Sequence, residues 1–172
     1  MRIAFSGTHY TGKSSLIAAL LKDLPLYTSI PEPYHLLEEE GYEFSDPPSL
    51  EDFEKQFVYS MQCIRKSTCN TLFDRSPFDP LAYAPALIKE PRLREMQEAL
   101  DLLDLIVFVP IENPDRIAVP RSENKNLRKR VDERLYEFLL NDSLGVLENL
   151  KVLEVVGSLE ERVQRINTIY HK

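Results

Sequence analysis

Short apolar segments alternate with longer amphipathic segments along the chain. The short segments are nearly continuous in apolar residues, which is typical of strands buried on both faces of a sheet. They lie at residues 2–6, 71–74, 105–109 and 152–156, with a weaker candidate at 26–30. The longer segments predict helices at 13–22, about 34–40, 51–69, about 92–103, 123–140 and 158–169. Because alternating strands and helices are joined by crossover connections, the pattern predicts a parallel sheet with helices on both faces.

The composition limits the class of protein. The chain has 172 residues and neither an internal repeat nor a dividing linker, so we expect one domain over 1–172. Its net charge of -7 without a long basic block argues against binding to DNA or RNA. The sequence has neither a signal-peptide pattern nor an apolar run near the roughly 18 residues of a membrane span. We expect a cytoplasmic protein that binds no membrane, with Cys63 and Cys69 reduced.

Residues 7–14 match the pattern G-x-x-x-x-G-K-[S/T] between a predicted strand and a predicted helix. In this context the pattern indicates a P-loop, whose backbone N–H groups converge on a phosphate at the positive end of the helix. Lys13 is expected to reach the β- and γ-phosphates, and the Ser14 hydroxyl to bind Mg²⁺. The predicted nucleotide-binding residues are Gly7, Thr8, His9, Tyr10, Thr11, Gly12, Lys13, Ser14 and Ser15. The alternative is a glycine turn before an ordinary helix.

An acidic and a basic residue follow the predicted strand 71–74. Asp74 stands at the carboxyl end of this strand, the sheet edge where ligands of open α/β folds bind, and Arg75 comes next. Asp74 can hold Mg²⁺, and Arg75 can offset charge on a transferred phosphoryl group. The alternative is an Asp that caps the next helix and pairs with Arg75.

Glu32 lies between two prolines just after the weak strand candidate. Prolines fix the backbone on both sides, so the carboxylate is held stiffly. A rigid carboxylate near a γ-phosphate can accept the proton of an attacking hydroxyl, which makes Glu32 a candidate general base. A glutamate in a surface turn is the alternative.

The P-loop, "IPEP" at 30–33, "LFDRSPFDPLAY" at 72–83 and a late arginine-rich helix occur in the order seen in two related groups of P-loop kinases. The chain resembles the deoxynucleoside kinases, although Asp74 stands where they have Glu and the chain is shorter than most of them. It looks more like the small AAA-type ATPase family that includes the ribosylnicotinamide kinase domain. The signature that favours this second group is Asp74, Arg75, Asp79, Ala82 and Tyr83. The resemblance implies a P-loop NTPase fold, a three-layer α/β/α sandwich with a five-stranded parallel sheet in the order 2-3-1-4-5.

The resemblance also implies roles for residues outside these motifs. A glutamine of the predicted helix 51–69 would contact the acceptor, so Gln56 and Gln62 are candidates, as are Glu32 and Arg75. A small lid at about 119–134 would close over ATP. Its working arginines would be Arg121 and Arg128, and Gly157 would border the adenine. The alternatives are a solvated helix face for the lid, solvent-facing glutamines, and a plain helix cap at Ser158.

These features together predict an ATP-dependent kinase that uses Mg²⁺ and transfers the γ-phosphoryl group to a hydroxyl of a nucleoside-like small molecule. ATP is preferred to GTP because "ENKN" at 123–126 lacks the final Asp of a guanine-recognition motif. One alternative is an ATPase module that acts as a regulatory switch. Another is a nucleoside monophosphate kinase, which requires further basic residues around the acceptor. A homodimer is left open beside a monomer.

Overall fold

A parallel sheet forms the centre of the molecule. The computed structural model describes residues 1–170. The strands are β1 (Arg2–Ser6), β2 (Thr28–Ile30), β3 (Thr71–Asp74), β4 (Leu105–Phe108) and β5 (Lys151–Glu154). They form a five-stranded sheet in the order β2-β3-β1-β4-β5, and each neighbouring pair is parallel. The predicted fold class and strand order are therefore confirmed.

Helices connect the strands as the amphipathic pattern predicted. They are α1 (Lys13–Asp23), α2 (Pro33–Glu39), α3 (Leu50–Lys66), α4 (Phe78–Tyr83), α5 (Glu90–Leu100), α6 (Lys125–Leu139) and α7 (Leu159–Tyr170), with a 3₁₀ turn at Pro85–Leu87. The sequence pattern did not predict α4. This helix has six residues, too few for a helical period to stand out, and Pro80 lies inside it.

The core has two apolar layers, one on each face of the sheet. Alternate residues of β1 contribute to different layers: Ile3 and Phe5 belong to one layer and Ala4 to the other. The first layer is closed by α1 and α7, and the second by α3, α4, α5 and α6. The central strands β1, β3 and β4 are therefore buried on both faces, as their continuous apolar character requires, whereas the edge strands β2 and β5 are partly exposed. The molecule is the predicted α/β/α sandwich.

The strand register brings the predicted motifs to one edge of the sheet. Phe5 of β1 lies opposite Asp74 of β3, and Ser6 lies opposite Phe108 of β4. The loop after β1 therefore begins beside Asp74. This is the carboxyl edge of the strands, where open α/β sheets bind ligands.

The cysteines and the helices relate to two of the expectations drawn from the composition. Cys63 is half-buried and Cys69 is exposed, and both are free thiols. Across residues 1–170, none of the helices combines the length and the apolar character that crossing a membrane requires.

Candidate functional site

The loop between β1 and α1 has the backbone shape that the glycine pattern predicted. Gly12 has φ 93°, in the left-handed region that favours glycine, and Tyr10 has φ 57°. A Cβ on Gly7 would collide with the carbonyl oxygen of Val109, so the loop passes too close to the end of β4 for any side chain there. The residues 7–14 therefore form a tight loop that leads directly into the first turn of α1, the arrangement of an anion site at a helix N-terminus.

Lys13 is folded into this loop. Its Nζ donates hydrogen bonds to the carbonyl oxygens of Gly7 (2.7 Å) and Thr8 (2.9 Å). Burial, reinforced by the nearby charge of Arg75, lowers the pKa of Lys13 to about 8. The ammonium group is thus held at the loop with its charge poorly compensated, which favours an anionic ligand.

Ser14 and Asp74 meet at the sheet edge. The Ser14 hydroxyl donates to Asp74 Oδ2 at 2.7 Å, so two hard oxygen ligands lie side by side at the start of α1 and the end of β3. Residues 1–170 contain no group of three or more His, Cys, Asp or Glu side chains that could hold a metal by itself. Mg²⁺ is commonly held by one or two carboxylates together with substrate phosphates, so this pair fits that ion and a nucleotide in combination.

Glu32, Arg75 and Asp79 form an ion-pair network in which Arg75 and Asp79 are buried and Glu32 is half-buried. Arg75 donates from Nε to Glu32 and from Nη1 to Asp79 at 3.2 Å, and Nη1 also reaches the Gly7 carbonyl at 3.3 Å. Arg75 has φ 93°, a costly conformation for a residue with a side chain. Burial opposes the charge of Arg75, but Glu32 and Asp79 outweigh it and raise its pKa. Burial likewise opposes the charge of Glu32, but the charge and hydrogen bond of Arg75 hold the Glu32 pKa below its usual range.

Asp79 has a role that the sequence did not predict, because the residue stood out only through its place in a family signature. The side chain is fully buried, and its carboxylate accepts hydrogen bonds from the Gly7 N–H (3.1 Å) and the Ser76 N–H (3.0 Å). Asp79 therefore ties the start of the P-loop to the segment that carries Arg75. The signal that could have indicated this role is the charged residue within the otherwise apolar "FDPLAY".

A cavity of about 450 Å³ opens beside this network. Its walls are largely aromatic and apolar, with carboxylates, Arg75 and amides converging on it. Phe53 and Tyr83 lie parallel in one wall, with ring centroids 5.6 Å apart. The complete lining is His9, Glu32, Tyr34, His35, Pro48, Phe53, Gln56, Arg75, Asp79, Pro80, Tyr83, Glu123, Asn124 and Leu127. Burial and the charge of Arg75 lower the pKa of His9 to about 4, so its ring is neutral at pH 7.

The two candidate glutamines of α3 differ in position. Gln56 lines the cavity and donates from Nε2 to the Asp52 carbonyl at 3.3 Å. Gln62 is exposed and is not among the residues that line this cavity. They are six positions apart, which places their side chains on different faces of the helix.

The predicted lid is an exposed coil followed by the start of α6. Arg121 lies in the coil and is exposed. Arg128 is buried, and donates from Nε to the His9 carbonyl at 2.9 Å and from Nη2 to Asp115 at 2.8 Å. The side chain of Arg128 therefore holds the backbone of the P-loop. The roles of both arginines on the phosphates stay predictions.

Gly157 lies in the loop between β5 and α7. Its N–H donates to both carboxylate oxygens of Glu112, at 3.1 and 3.2 Å, and its φ is 99°. The capping interaction considered at Ser158 is present, because the Glu161 N–H donates to the Ser158 hydroxyl and the Ser158 N–H donates to the Glu161 carboxylate. Contact of Gly157 with adenine stays a prediction.

The sequence matches a family model described as AAA domain over residues 2–162. The chain belongs to this family. No protein with curated function matches it in sequence.

Solved structures share the AAA-domain fold of this chain. The YorR protein from Bacillus subtilis, in complex with phosphorylated GDP, has a TM-score of 0.67 and 18% identity over 99% of this chain and 96% of that one. Deoxyadenosine kinase from M. mycoides, with dCMP and dCDP bound, has a TM-score of 0.70 and 14% identity over 99% of each chain. The NadR protein in complex with NAD and AMP-PNP has a TM-score of 0.68 and 15% identity over 99% of this chain and 49% of that one. At these identities the likeness concerns the fold.

Proposed function

We propose that this chain is an ATP-dependent kinase that transfers the γ-phosphoryl group to a hydroxyl of a small, nucleoside-like acceptor. The observation that carries the proposal is that the Lys13 loop and the Ser14–Asp74 pair share one sheet edge with the cavity that contains Glu32 and Arg75. A nucleotide side and an acceptor side are thus adjacent. The similar folds of a deoxyadenosine kinase and of a protein that binds NAD and AMP-PNP support a phosphoryl-transfer function of this kind.

In the proposed reaction an acceptor hydroxyl oxygen forms a bond to the γ-phosphorus while the bond from that phosphorus to the bridging β–γ oxygen breaks. ADP leaves, and the hydroxyl proton passes to the Glu32 carboxylate and then to water. Lys13 and Arg75 stabilise negative charge on the transferring group. Mg²⁺ held by Ser14 and Asp74 would neutralise further charge on the phosphates.

Glu32 serves in this proposal as an orienting group and a late proton acceptor. Because Arg75 holds the Glu32 pKa below its usual range, the carboxylate is ionised at neutral pH but is a weak base. Phosphoryl transfer passes through a loose transition state in which the attacking hydroxyl keeps its proton until late. A weak base that is correctly placed is therefore adequate, and its main contribution is to align the hydroxyl.

The charges around the cavity favour an acceptor without a phosphate. Glu32, Asp79 and Glu123 contribute three carboxylates to the lining, and Arg75 is already paired with the first two. Among the described residues of this lining, Arg75 is the only arginine or lysine, and His9 is neutral at pH 7. An anionic acceptor would meet net repulsion here, so we propose a neutral or cationic nucleoside-like acceptor rather than a nucleoside monophosphate.

An acceptor panel tests the proposed function. Nucleosides, ribosylnicotinamide and mononucleotides are first compared by thermal shift with a non-hydrolysable ATP analogue, and then by ADP release with ATP and Mg²⁺. The proposal expects ADP release that depends on a non-phosphorylated acceptor. Slow hydrolysis that no acceptor changes would favour the regulatory switch, and activity confined to mononucleotides would favour a monophosphate kinase.

A further inference from the structure

Arg162 is a buried cation that the proposed mechanism does not use. It lies in the first half of α7, 151 residues along the chain from Thr11, whose carbonyl oxygen accepts a hydrogen bond of 2.8 Å from its Nη1. Its Nη2 donates to the carboxylate of Glu112. The sequence pattern gave no reason to single out this arginine among the charged residues of the predicted helix 158–169.

Arg128 makes the same kind of contact from α6. It donates from Nε to the His9 carbonyl at 2.9 Å and from Nη2 to the Tyr10 carbonyl at 3.4 Å. Asp115 accepts from both Nη atoms of this guanidinium, at 3.2 and 2.8 Å. Two guanidinium groups, each held by a carboxylate, therefore bind three successive carbonyl oxygens of the P-loop, those of residues 9–11.

The geometry of the peptide bond relates these carbonyl contacts to the direction of the N–H groups on the other side of the loop. In a planar trans peptide the C=O and the following N–H point in opposite directions. When the carbonyls of residues 9–11 point to the arginines, the N–H groups of residues 10–12 point away from them. In a P-loop, these are N–H groups that face bound phosphate.

We propose that Arg128 and Arg162 are positioning residues that fix the P-loop peptides of residues 9–12 in the orientation that binds a phosphate. We call this pair the P-loop brace. The inference rests on the proposed function in one respect, namely that the loop binds a nucleotide. The brace adds that nucleotide affinity depends on two side chains that act through the backbone carbonyls of the loop.

A contribution to stability alone explains Arg162 poorly. Its Nε is buried and has no hydrogen-bond partner among the described residues. A buried donor left unpaired costs free energy, and buried ion pairs are often no more stabilising than apolar side chains of similar volume. The two Nη groups, by contrast, both donate hydrogen bonds, one to the P-loop and one to Glu112. The side chain is thus arranged to hold the loop.

Glu112 extends the brace to the loop after β5. Its carboxylate accepts from Arg162, from the Gly157 N–H at 3.1 Å and from Arg116 Nε at 2.9 Å. Arg162 therefore cannot swing away from Thr11 without breaking its pair with a carboxylate that is itself fixed. A Glu112→Gln variant weakens the hold on Arg162 and leaves that arginine present.

The test compares Arg162→Met, Arg162→Lys and Glu112→Gln with the wild type, and uses Arg165→Met as a control on an exposed position of the same helix. Affinities for ADP and for a non-hydrolysable ATP analogue are measured by calorimetry with Mg²⁺. Backbone order parameters of residues 9–12 are measured by ¹⁵N relaxation without nucleotide. We expect Arg162→Met to weaken ADP binding about tenfold and to lower these order parameters. Arg162→Lys and Glu112→Gln should give smaller changes, and Arg165→Met none.

The outcomes separate a brace from a structural role. Arg162→Met with a lower melting temperature but unchanged ADP affinity and unchanged order parameters would overturn the proposal. If that variant does not fold, Arg162→Lys and Glu112→Gln decide by the same two measurements. A wild-type chain that binds neither nucleotide contradicts the proposed function instead. The order parameters then decide the brace, since they are measured without nucleotide.

Discussion

The Ser14 hydroxyl donates a hydrogen bond of 2.7 Å to Oδ2 of Asp74, which joins the first turn of α1 to the carboxyl end of β3. The pairing of β1 with β3 places Phe5 opposite Asp74, so the loop that follows β1 returns a serine to the same edge. Hydroxyl and carboxylate oxygens at this distance are suitable neighbours in the ligand shell of a small divalent cation. The contact is therefore the part of the site where metal dependence is best tested.

Asp74→Asn should raise the Mg²⁺ concentration needed for half-maximal turnover by about 10- to 100-fold, since a neutral amide replaces a charged oxygen ligand. Apparent ATP affinity should weaken in parallel, because ATP binds with the metal. The measurement is ADP release as a function of Mg²⁺ concentration. Asp104→Asn is the control, because Asp104 precedes β4 at the opposite edge of the sheet and accepts from the Arg2 N–H. An unchanged Mg²⁺ dependence in Asp74→Asn would exclude Asp74 as a ligand.

Glu32→Gln should lower acceptor-dependent turnover by roughly 10²- to 10⁴-fold, the range typical for loss of a general base. Binding of ADP should be retained, since Glu32 lines the acceptor cavity rather than the Lys13 loop. Turnover is measured with saturating ATP, and ADP affinity by calorimetry. Glu39→Gln, an exposed position at the end of helix α2, which begins directly after Glu32, serves as the control. Equal loss of nucleotide affinity in Glu32→Gln and Asp74→Asn would show that the two carboxylates do not have separate roles.

Lys13→Met should abolish measurable turnover and yet stabilise the fold at pH 7. Turnover is lost because the cation that reaches the β- and γ-phosphates is removed. Stability increases because burial lowers the pKa of Lys13 to about 8 in the folded chain, which means that its charged form is held unfavourably at neutral pH. Urea unfolding at pH 7 without nucleotide measures the change.

The pH dependence of the same variant provides the check. Between about pH 8 and the ordinary value of 10.5, the unfolded wild-type chain binds more protons at Lys13 than the folded chain does. The free energy of unfolding therefore rises with pH across this window in the wild type. Lys13→Met should lack that rise. If both proteins show the same slope, Lys13 does not carry a depressed pKa.

The parallel sheet with helices on both faces and part of the candidate site were predictable from local sequence, whereas the strand order came from the family resemblance. Continuous apolar runs are visible within a few residues, and a strand followed by G-x-x-x-x-G-K-S fixes where Ser14 lies relative to β1. Asp74 was predictable because the end of a parallel strand is also an edge of the sheet. These features depend on neighbours in the sequence.

The remaining features depend on contacts between distant segments. Arg128 reaches the His9 carbonyl across 119 residues and Arg162 reaches Thr11 across 151, and no local pattern distinguishes such arginines from solvated ones. The helical period places Gln56 and Gln62 on different faces of α3, but only the packing of α3 decides which face lines the cavity. Local sequence therefore did not show which side chains of a long helix face the site.

Asp132→Asn should stabilise the protein at pH 7. Burial raises the pKa of Asp132 to about 6, although its Oδ1 accepts a hydrogen bond from the Ile111 N–H at 3.0 Å. From about pH 4 to pH 6 the folded chain binds more protons at this residue than the unfolded chain, so wild-type stability falls as pH rises through that range. An asparagine keeps the acceptor oxygen without the charge.

Denaturant unfolding at pH 4.5 and pH 7 tests this expectation. The difference between the variant and the wild type should be larger at pH 7 than at pH 4.5. The exposed neighbour Glu133→Gln is the control, and should show little change at either pH. A variant that loses stability at pH 7 would show that the negative charge of Asp132 is favourable in the folded chain.

The lid prediction concerns residues 119–130. This segment has only two aliphatic side chains, Val119 and Leu127, and both are half-buried, so little apolar area holds it down. Arg128 attaches it to the P-loop through the His9 and Tyr10 carbonyls. We expect the amides of this segment to exchange rapidly without nucleotide and to slow markedly with Mg²⁺ and an ATP analogue.

The second half of α6 is the internal reference for this measurement. Val131, Leu135, Phe138 and Leu139 are buried in the core, so their amides should stay protected with and without nucleotide. Arg128→Ala should extend rapid exchange in the lid segment, because it removes the contacts with the P-loop, while Arg130→Ala on the exposed face should not. Turnover in Arg128→Ala should fall more than ATP binding does if this arginine acts on the phosphoryl group in transit, and both should fall together if it only holds the P-loop. Equal protection of residues 119–130 with and without nucleotide would mean that the segment is a fixed, solvated part of the fold and does not close.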